Sequence, residues 1–231
     1  MSLYNREDIY LSLLATGTYT VKELAEKLFI SEPTVRRDIV VMKEKRLVSC
    51  RRGVVKLENK YADQRIPLFI RKHEFNEEKK QIAQKAVKYI KDGDVIMLDA
   101  STTAYYLLSH LANFKNIIII TNGAKTALEA ASIGIKTICT GGEMTPESFS
   151  YIGSDAENTL SKYNADVAFF SCRGISDENV ATDNSIWENS VRKIMIKNSK
   201  KNYLLCDKSK FGKVYLNTLC KEQEITAIIT N

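Results

Sequence analysis

The pattern of apolar residues along the chain changes character once, near residue 76. In the first part, apolar residues recur at helical spacing and then alternate in two short runs. From residue 76 onward, short apolar runs alternate with amphipathic stretches. We therefore predict two domains, residues 1–57 and residues 76–231, joined by a polar linker over residues 58–75.

The spacing of helix signals in the first domain predicts a helix-turn-helix. A first apolar helix ends at Gly17. Thr20 and Glu23 have the spacing of a capping box, in which each side chain satisfies a backbone N–H group at a helix start. Ser31 is suited to cap the third helix, whose first turn tolerates Pro33. Two helices joined by a short turn are typical of DNA-binding modules.

Two short apolar runs, 47–50 and 54–57, follow the third helix. They flank Arg51, Arg52 and Gly53, so we predict a β-hairpin with a glycine turn. A hairpin in this position is the wing of a winged helix-turn-helix. Its arginines are placed to contact backbone phosphates.

Positive charge is concentrated in the same region. The chain has a formal net charge of +6, and residues 31–56 hold eight Lys or Arg against three Asp or Glu. Such a cluster favours a polyanion partner, although a solvated helix face or a protein-interaction module would also carry it. We predict that double-stranded DNA is contacted by Thr20, Ser31, Glu32, Thr34, Arg36, Arg37, Arg51 and Arg52.

The second domain has the pattern of a mainly parallel α/β sheet. Near-continuous apolar runs alternate with helical segments, as in parallel sheets covered by helices on both faces. The predicted strands are 95–98, 117–121, 137–140, 167–171, 203–206 and 225–229. The predicted helices are 76–91, 103–112, 123–132, 154–163 and 185–199.

Polar residues gather where these strands end. Open α/β sheets bind ligands outside the carboxyl ends of their strands, so these residues form a candidate ligand site. From the residues themselves, the candidates are Asp99, Ser101, Thr102, Thr103, Thr121, Asn122, Gly141, Gly142, Gly174, Asp207 and Lys210.

The chemistry of these residues suits a phosphorylated polyol. Ser101–Thr103 start a predicted helix, where free N–H groups and the helix dipole favour an anion, and Lys210 supplies a positive charge. Gly141 and Gly142 allow close backbone approach, while Asp99 and Asn122 can hold sugar hydroxyls. A simple N-cap, a plain turn and a surface lysine remain the alternatives for the first three features.

Several motifs resemble the DeoR family of bacterial repressors. In the first domain they are Thr20-Val21-Lys22-Glu23-Leu24-Ala25 and Ser31-Glu32-Pro33-Thr34-Val35-Arg36-Arg37-Asp38-Ile39. In the second domain they are Asp92-Gly93-Asp94, Asp99-Ala100-Ser101-Thr102-Thr103, Thr140-Gly141-Gly142 and Asp207-Lys208-Ser209-Lys210-Phe211-Gly212, with Thr182-Asp183 and Glu188 followed by Arg192.

The resemblance implies a domain related to ribose-5-phosphate isomerase and CoA transferases that senses a phosphorylated sugar. It adds Asp183 and Glu188 to the effector site and implies a homo-oligomer that leaves its operator when the sugar binds. We therefore expect a transcriptional repressor rather than an enzyme. The alternative is a sugar-phosphate isomerase with an accessory N-terminal module, since the carboxylates of the second domain do not exclude catalysis.

The remaining composition narrows the setting of the protein. There are five cysteines without a C-x-x-C pair and two separated histidines, so we expect buried thiols and neither a metal site nor a cofactor. No apolar run approaches the roughly twenty residues of a membrane helix. We expect a cytoplasmic protein that does not contact a membrane.

Overall fold

The computed structural model describes residues 3–58 and 76–231, which fall into two compact units, residues 1–74 and 75–231. Of the predicted linker, only Glu58 lies among the described residues. Its backbone N–H donates to the carbonyl of Leu47 at 3.1 Å, at the end of the wing. The linker and its exact bounds stay a prediction.

The first unit is a winged helix. Its elements are α1 (Leu3–Thr16), β1 (Tyr19–Thr20), α2 (Val21–Leu28), α3 (Glu32–Glu44), β2 (Val48–Arg51) and β3 (Val54–Leu57). The predicted helices and hairpin are confirmed. The two-residue strand β1 was not predicted, because so short a run has no periodicity. It pairs with β3 and completes an antiparallel sheet in the order β1-β3-β2.

The capping signals of the helix-turn-helix have different outcomes. The Thr20–Glu23 capping box is confirmed: the Glu23 N–H donates to Thr20 Oγ1 at 3.1 Å, and the Thr20 N–H donates to Glu23 Oε2 at 2.6 Å. The prediction that the Ser31 side chain caps α3 is wrong. Ser31 has the extended backbone of a cap residue, but its hydroxyl bonds the Thr34 hydroxyl at 2.9 Å, which competes with the backbone N–H.

Helix α3 is held against α1 by a buried carboxylate. Asp38 is 4% exposed and accepts hydrogen bonds from Arg6 Nε at 2.8 Å, Arg6 Nη2 at 3.1 Å and the Tyr10 hydroxyl at 3.1 Å. Burial, together with the charge of Asp38, raises the pKa of the Tyr10 phenol. The buried side of α3 therefore fixes the orientation of its exposed side.

The second unit is built on a six-stranded parallel sheet in the order β14-β12-β9-β4-β5-β6. Its strands are β4 (Val95–Leu98), β5 (Ile118–Thr121), β6 (Lys136–Cys139), β9 (Ala165–Ser171), β12 (Ser199–Leu205) and β14 (Ala227–Ile229). Its α-helices are α4 (Asn76–Ala86), α5 (Thr102–Tyr105), α6 (Ala124–Ser132), α7 (Gly153–Leu160) and α8 (Ile186–Lys197). The predicted mainly parallel α/β domain is confirmed.

Smaller strands lie outside this sheet. β7 (Glu143–Thr145) and β8 (Ser150–Ile152) form a hairpin, and β10 (Gly174–Ile175), β11 (Ala181–Asp183) and β13 (Asn217–Cys220) form a three-stranded sheet. None of these was predicted from the sequence, because their residues are few and mostly polar.

Alternation along the strands builds two cores, one on each face of the sheet. On β4, Ile96 and Leu98 pack on one face with residues of α4, such as Ile82, while Met97 packs on the other face with residues of α8, such as Val191. The predicted helix 103–112 is different in the structure. It is one α-helical turn, α5, followed by a 3-10 helix over Tyr106–His110.

One strained backbone position of the first unit lies at the turn between α2 and α3. Phe29 has a left-handed backbone with a φ of +53°, and its side chain is 94% exposed. A left-handed conformation costs an L-residue roughly 1–2 kcal/mol, whereas glycine adopts it without a steric penalty. The ring is almost entirely exposed and gains little from packing.

We expect Phe29→Gly to raise the free energy of unfolding of the first unit by about 0.5–1 kcal/mol, after the entropic cost of a glycine is subtracted. Urea unfolding followed by circular dichroism measures the change, while fluorescence of Trp187, the single tryptophan, follows the second unit as a control. Phe29→Ala removes the ring but keeps the strain, so it should have no such gain. Equal gains in both variants would contradict the strain argument.

Candidate functional site

The first candidate surface lies on α3 and the wing. Arg36 and Arg37 are exposed on α3, and Arg51 and Arg52 are exposed at the wing tip. The wing turns through Arg52 and Gly53, with φ values of +48° and +78°. Positive φ at both positions is the geometry of a tight two-residue hairpin, so the turn presents its arginines at the tip.

The other predicted DNA contacts have local partners. The Thr20 hydroxyl belongs to the capping box and donates to Glu23 Oε2 at 2.9 Å. Glu32 accepts from Arg36 Nη2 at 3.3 Å across one turn of α3. Both contacts are exposed and can be exchanged for others. Ser31 and Thr34 bond each other at the start of α3, where recognition helices approach base edges.

The second candidate surface is the carboxyl edge of the parallel sheet, and a buried guanidinium organises it. Arg192 on α8 donates to Asp99 Oδ2 at 2.9 Å, to Asp183 Oδ2 at 3.0 Å and to Glu188 Oε2 at 3.4 Å. Burial lowers the pKa of Arg192, but these carboxylates more than offset it and raise the pKa above its usual value. The end of β4, the end of β11 and α8 itself therefore converge on one charge.

Asp99 is also bonded to the backbone of two turns. Its carboxylate accepts from the Ser101 N–H at 3.1 Å and from the Ser171 N–H at 3.2 Å, in addition to Arg192. The side chain is 1% exposed. Asp99 is predicted from the sequence to hold sugar hydroxyls. In the structure its oxygens shape the turns that follow β4 and β9, because the buried Arg192 needs a partner there.

A hydroxyl cluster extends this network to the β7–β8 hairpin. Glu188 Oε1 accepts from the Ser148 hydroxyl at 2.7 Å and from the Ser150 hydroxyl at 2.9 Å. Thr145 completes the cluster through Ser150, at 2.8 Å. The sequence analysis missed these three hydroxyls. Nothing in the sequence indicates that a hairpin of polar residues folds back onto α8.

The same hairpin covers the end of β5. The backbone of Tyr151 donates to the Asn122 carbonyl at 2.7 Å and accepts from Asn122 Nδ2 at 3.0 Å. Asn122 is 2% exposed, yet its Oδ1 atom has no hydrogen-bond partner. Thr121 Oγ1 accepts from the Gly123 N–H at 3.0 Å, and Gly123 packs against Ala100. The turn that carries Asn122 therefore adjoins the turn that begins at Asp99.

Lys210 brings a cation to the same edge. Its Nζ donates to Ser171 Oγ at 2.9 Å and lies 3.7 Å from Asp207 Oδ2. The Ser171 hydroxyl in turn donates to the Leu205 carbonyl at 2.7 Å. The lysine side chain remains 21% exposed. Ser171 was not among the predicted site residues, although its position at the end of a strand is a signal that could have indicated it.

Two of the candidate glycines serve close packing inside the protein. A Cβ atom on Gly142 would lie 2.9 Å from the Ile152 carbonyl oxygen, and one on Gly174 would lie 2.3 Å from the Lys213 carbonyl oxygen. The space at these two positions is therefore occupied by this chain's own backbone. Gly141, with a φ of +65°, has nothing within 4 Å of a Cβ and stays open to a ligand.

The Ser101–Thr103 turn is a capped helix start. Ser101 Oγ accepts from the Ala104 N–H at 3.1 Å, which matches the simple N-cap that the sequence left open. Because α5 is one turn long, it supplies little of the dipole that a long helix would give an anion. Thr102 and Thr103 are buried beside it. The Ser101 N–H donates to Asp99, so the N–H groups that this turn leaves for an anion are those of Thr102 and Thr103.

Two findings bear on metal and membrane. Within residues 3–58 and 76–231, no group of three or more His, Cys, Asp or Glu side chains is arranged to hold a metal ion. Among the same residues, every helix is too short or too polar to cross a bilayer.

These features define a class of protein: a helix-turn-helix regulator with an α/β sensor domain. The model of the DeoR-like helix-turn-helix domain matches residues 6–62, and the model of the DeoR C terminal sensor domain matches residues 74–231. The chain belongs to the DeoR family of transcriptional regulators. The family resemblance drawn from the motifs is confirmed.

Three similar proteins are transcriptional regulators or repressors by name. The regulator YulB of Bacillus subtilis is 34% identical over 91% of this chain and 81% of its own length. The regulator IolR of the same organism is 31% identical over 100% of this chain and 92% of its own length. The lactose phosphotransferase system repressor of Staphylococcus epidermidis is 30% identical over 100% and 93%.

Solved structures resemble the fold at low sequence identity. The translation initiation factor eIF-2B of Pyrococcus horikoshii aligns with a TM-score of 0.50 at 13% identity, over 99% of this chain and 88% of its own. Ribose 5-phosphate isomerase A of Methanocaldococcus jannaschii aligns with a TM-score of 0.46 at 21% identity, over 60% of this chain and 55% of its own. At these identities the likeness concerns the fold alone.

The Arg192 network generates a stability prediction. Arg192→Met would leave three carboxylates facing one another without their cation, and breaking a buried ion pair in this way costs about 3–5 kcal/mol. We expect a loss of that size in the free energy of unfolding, measured in urea by Trp187 fluorescence.

Lys200→Met is the matched control. Lys200 pairs with Asp166 at 2.7 Å, but its side chain is 77% exposed, so its removal should change little. If Arg192→Met cost no more than Lys200→Met, the network would not be the constraint that holds the carboxyl edge.

Proposed function

We propose that this regulator represses genes of sugar metabolism and that a phosphorylated sugar, bound at the carboxyl edge of the sheet, weakens its hold on operator DNA. The observation that carries the proposal is that a partly exposed cation, Lys210, and a buried acceptor without a partner, Asn122 Oδ1, both follow strands at the carboxyl edge of the sheet. The similarity to the lactose phosphotransferase system repressor supports a role in sugar metabolism.

The two groups suit the two ends of a sugar phosphate. Lys210 provides a point charge for a phosphate, held in place by Ser171. Asn122 Oδ1 accepts a hydrogen bond from a donor, and a sugar hydroxyl is one. A buried polar atom without a partner costs free energy, so a ligand that satisfies it gains affinity. The Ser101–Thr103 turn adds backbone N–H groups, and Gly141 adds open space.

The DNA contacts follow from the exposed arginines. Arg36 and Arg37 on α3 are suited to base edges, where arginine binds guanine through two hydrogen bonds, and Arg51 and Arg52 are suited to phosphates. We propose that the protein is a cytoplasmic homo-oligomer, because two copies of the winged helix can bind two half-sites of a repeated operator.

Sugar and DNA act on each other through linkage. A ligand that binds better to one arrangement of the protein shifts the population toward it, and couplings of this kind typically amount to about 1–3 kcal/mol. The same linkage requires operator DNA to weaken sugar binding by an equal factor.

We propose that the second unit binds its sugar without turnover. The carboxylates that could act as a base are Asp99, Asp207 and Glu188, and each already accepts hydrogen bonds within the protein. The named relatives are regulators. Incubation with phosphorylated aldoses and ketoses, followed by chromatography, tests the alternative: the appearance of the isomer would indicate an isomerase.

We expect Arg36→Ala and Arg37→Ala each to weaken binding to a DNA duplex, isolated by repeated selection on the protein itself, by about 1–3 kcal/mol. Fluorescence anisotropy measures the affinity across a salt series. Lys80→Ala in the second unit is the control, because Lys80 is an exposed lysine far from the winged helix in the sequence. Unchanged affinity in both arginine variants would contradict the assignment of α3 as the recognition helix.

We expect Lys210→Ala to abolish the thermal stabilisation that a phosphorylated sugar gives. A ligand at a hundred times its Kd stabilises by about 2.7 kcal/mol, roughly 5–10 °C for a chain of this size. A panel of sugar phosphates, each beside its unphosphorylated parent, identifies the ligand in the unchanged protein.

The matched control for this substitution is Lys208→Ala, which removes an exposed lysine from the same 3-10 turn. Its shift should equal that of the unchanged protein. If Lys210→Ala kept a full shift with the sugar phosphate, Lys210 would not belong to the site.

A further inference from the structure

Two cysteines lie side by side at the carboxyl edge of the sheet. Strands β9 and β12 are parallel neighbours, and their last paired residues are Ser171 and Leu205. Cys172 and Cys206 are the residues that directly follow these two strands, and continuing the register by one residue places them side by side. Both side chains belong to the same buried cluster on one face of the sheet, which also contains Met97.

This spacing is compatible with a disulfide bond. Neighbouring strands lie about 4.7–4.9 Å apart, and the Cα atoms of disulfide-linked cysteines are usually 4.4–6.8 Å apart. Side chains at one register position of a parallel pair leave the sheet on the same side, so both sulfurs share one face.

The surroundings favour one thiol as the nucleophile. The neighbouring Cys206 thiol lowers the pKa of Cys172, and the positive charges of Lys210 and Arg192 lower it further. The Cys172 thiol in turn raises the pKa of Cys206. Reactive cysteines in redox sensors have this arrangement, a stabilised thiolate beside a second thiol that can resolve it.

Because both cysteines are buried, only a small molecule can act as their oxidant. Cys172 is 4% exposed and Cys206 is fully buried. The sequence analysis expected buried thiols throughout, and this is wrong for Cys139, which is exposed, and for Cys50, which is half-buried. Cys139 therefore provides an internal measure of how reactive an ordinary exposed thiol of this chain is.

We propose that Cys172 and Cys206 form a reversible disulfide when the protein meets a peroxide, and that this oxidation weakens the sugar-phosphate site. The first part stands on the register of the two strands. The second part rests on the proposed function, because it concerns the ligand of the same edge.

The chemistry balances with hydrogen peroxide as the oxidant. The Cys172 thiolate attacks one peroxide oxygen, an S–O bond forms, the O–O bond breaks, and hydroxide leaves. The Cys206 sulfur then attacks the Cys172 sulfenic acid, an S–S bond forms, the S–O bond breaks, and a second hydroxide leaves. The protons of the two thiols convert both hydroxides to water. Two thiols are oxidised by two electrons and one peroxide is reduced.

The disulfide would act on the site through Lys210. Ser171, the neighbour of Cys172, accepts a hydrogen bond from the Lys210 ammonium group at 2.9 Å. Asp207, the neighbour of Cys206, has a carboxylate oxygen 3.7 Å from the same ammonium group. Cys206 Sγ also contacts the Asp207 carbonyl at 3.5 Å. Drawing the two sulfurs to a bond length of about 2.05 Å shifts both residues that hold the cation.

The experiment treats the full-length protein with hydrogen peroxide under native conditions, alkylates the remaining thiols and maps the peptides by mass spectrometry. We use a Cys50→Ser, Cys139→Ser variant, so that the exposed cysteines cannot link two molecules, beside the unchanged protein. We expect one peptide pair joined through Cys172 and Cys206, and its return to two thiols with dithiothreitol.

Two further variants test the assignment of roles. Cys206→Ser should stop the reaction at a sulfenic acid on Cys172, which dimedone labels. Cys220→Ser is the control, because Cys220 is a third buried thiol near Cys172 whose pKa burial raises to about 12. Its loss should leave the disulfide unchanged.

The proposal fails if peroxide that oxidises Cys139 in the unchanged protein leaves Cys172 and Cys206 as thiols, or if either joins Cys220 instead. Both results are measured on the unchanged protein, so neither depends on a variant that folds correctly.

The regulatory part is measured separately, with ribose 5-phosphate and inorganic phosphate as probes. Affinities from calorimetry should fall on oxidation within the 5- to 150-fold range of typical couplings, and recover on reduction. Equal affinity before and after oxidation overturns the regulatory part. If neither probe binds the reduced protein, the proposed site fails for these ligands and the regulatory part fails with it, while the mapped disulfide stands.

Discussion

The carboxyl edge of the sheet depends on one buried charge. A guanidinium without access to water needs carboxylates around it, and Arg192 takes them from the end of β4, the end of β11 and its own helix. Each of these carboxylates also accepts hydrogen bonds from other groups. Pairing with Arg192 therefore fixes the positions of several turns at once. The carboxylates at this edge are held where they pair with Arg192. The groups that remain for a ligand are those that do not bond to Arg192.

Those remaining groups lie on turns that the network holds. Ser171, which holds Lys210, is fixed through its backbone N–H by Asp99, and the hairpin that covers Asn122 is fixed by Glu188. A ligand that moves Lys210 or Asn122 therefore acts on elements that share one set of hydrogen bonds. Shared contacts of this kind are what allow binding at one point to bias a larger arrangement. The same connection makes the pair Cys172 and Cys206 a point of control, because it sits between Ser171 and Asp207.

Local signals in the sequence were sufficient for most of the fold. The capping box at Thr20, the wing turn at Arg52 and the six apolar runs depend on neighbouring residues, and the structure bears them out. The role of Asp99 could not be predicted, because its partner Arg192 is 93 residues away along the chain. Gly142 and Gly174 show a related limit: the sequence indicates that backbone approaches closely, but not that the approaching atoms belong to the protein itself, as they do at these two positions.

Arginine residues have two roles in this chain, and their exposure to solvent distinguishes the two. Arg6 and Arg192 are paired with buried carboxylates and fix the position of other elements. Arg37, Arg51 and Arg52 are exposed at places where a helix start or a turn presents them. A count of positive charge in the sequence treats all of them alike. The orientation of the exposed arginines on α3 nevertheless depends in part on a buried one, because the bond between Arg6 and Asp38 joins apolar packing in holding the opposite side of α3 in the core. The surface proposed for DNA is therefore positioned by contacts made on the buried side of the same helix.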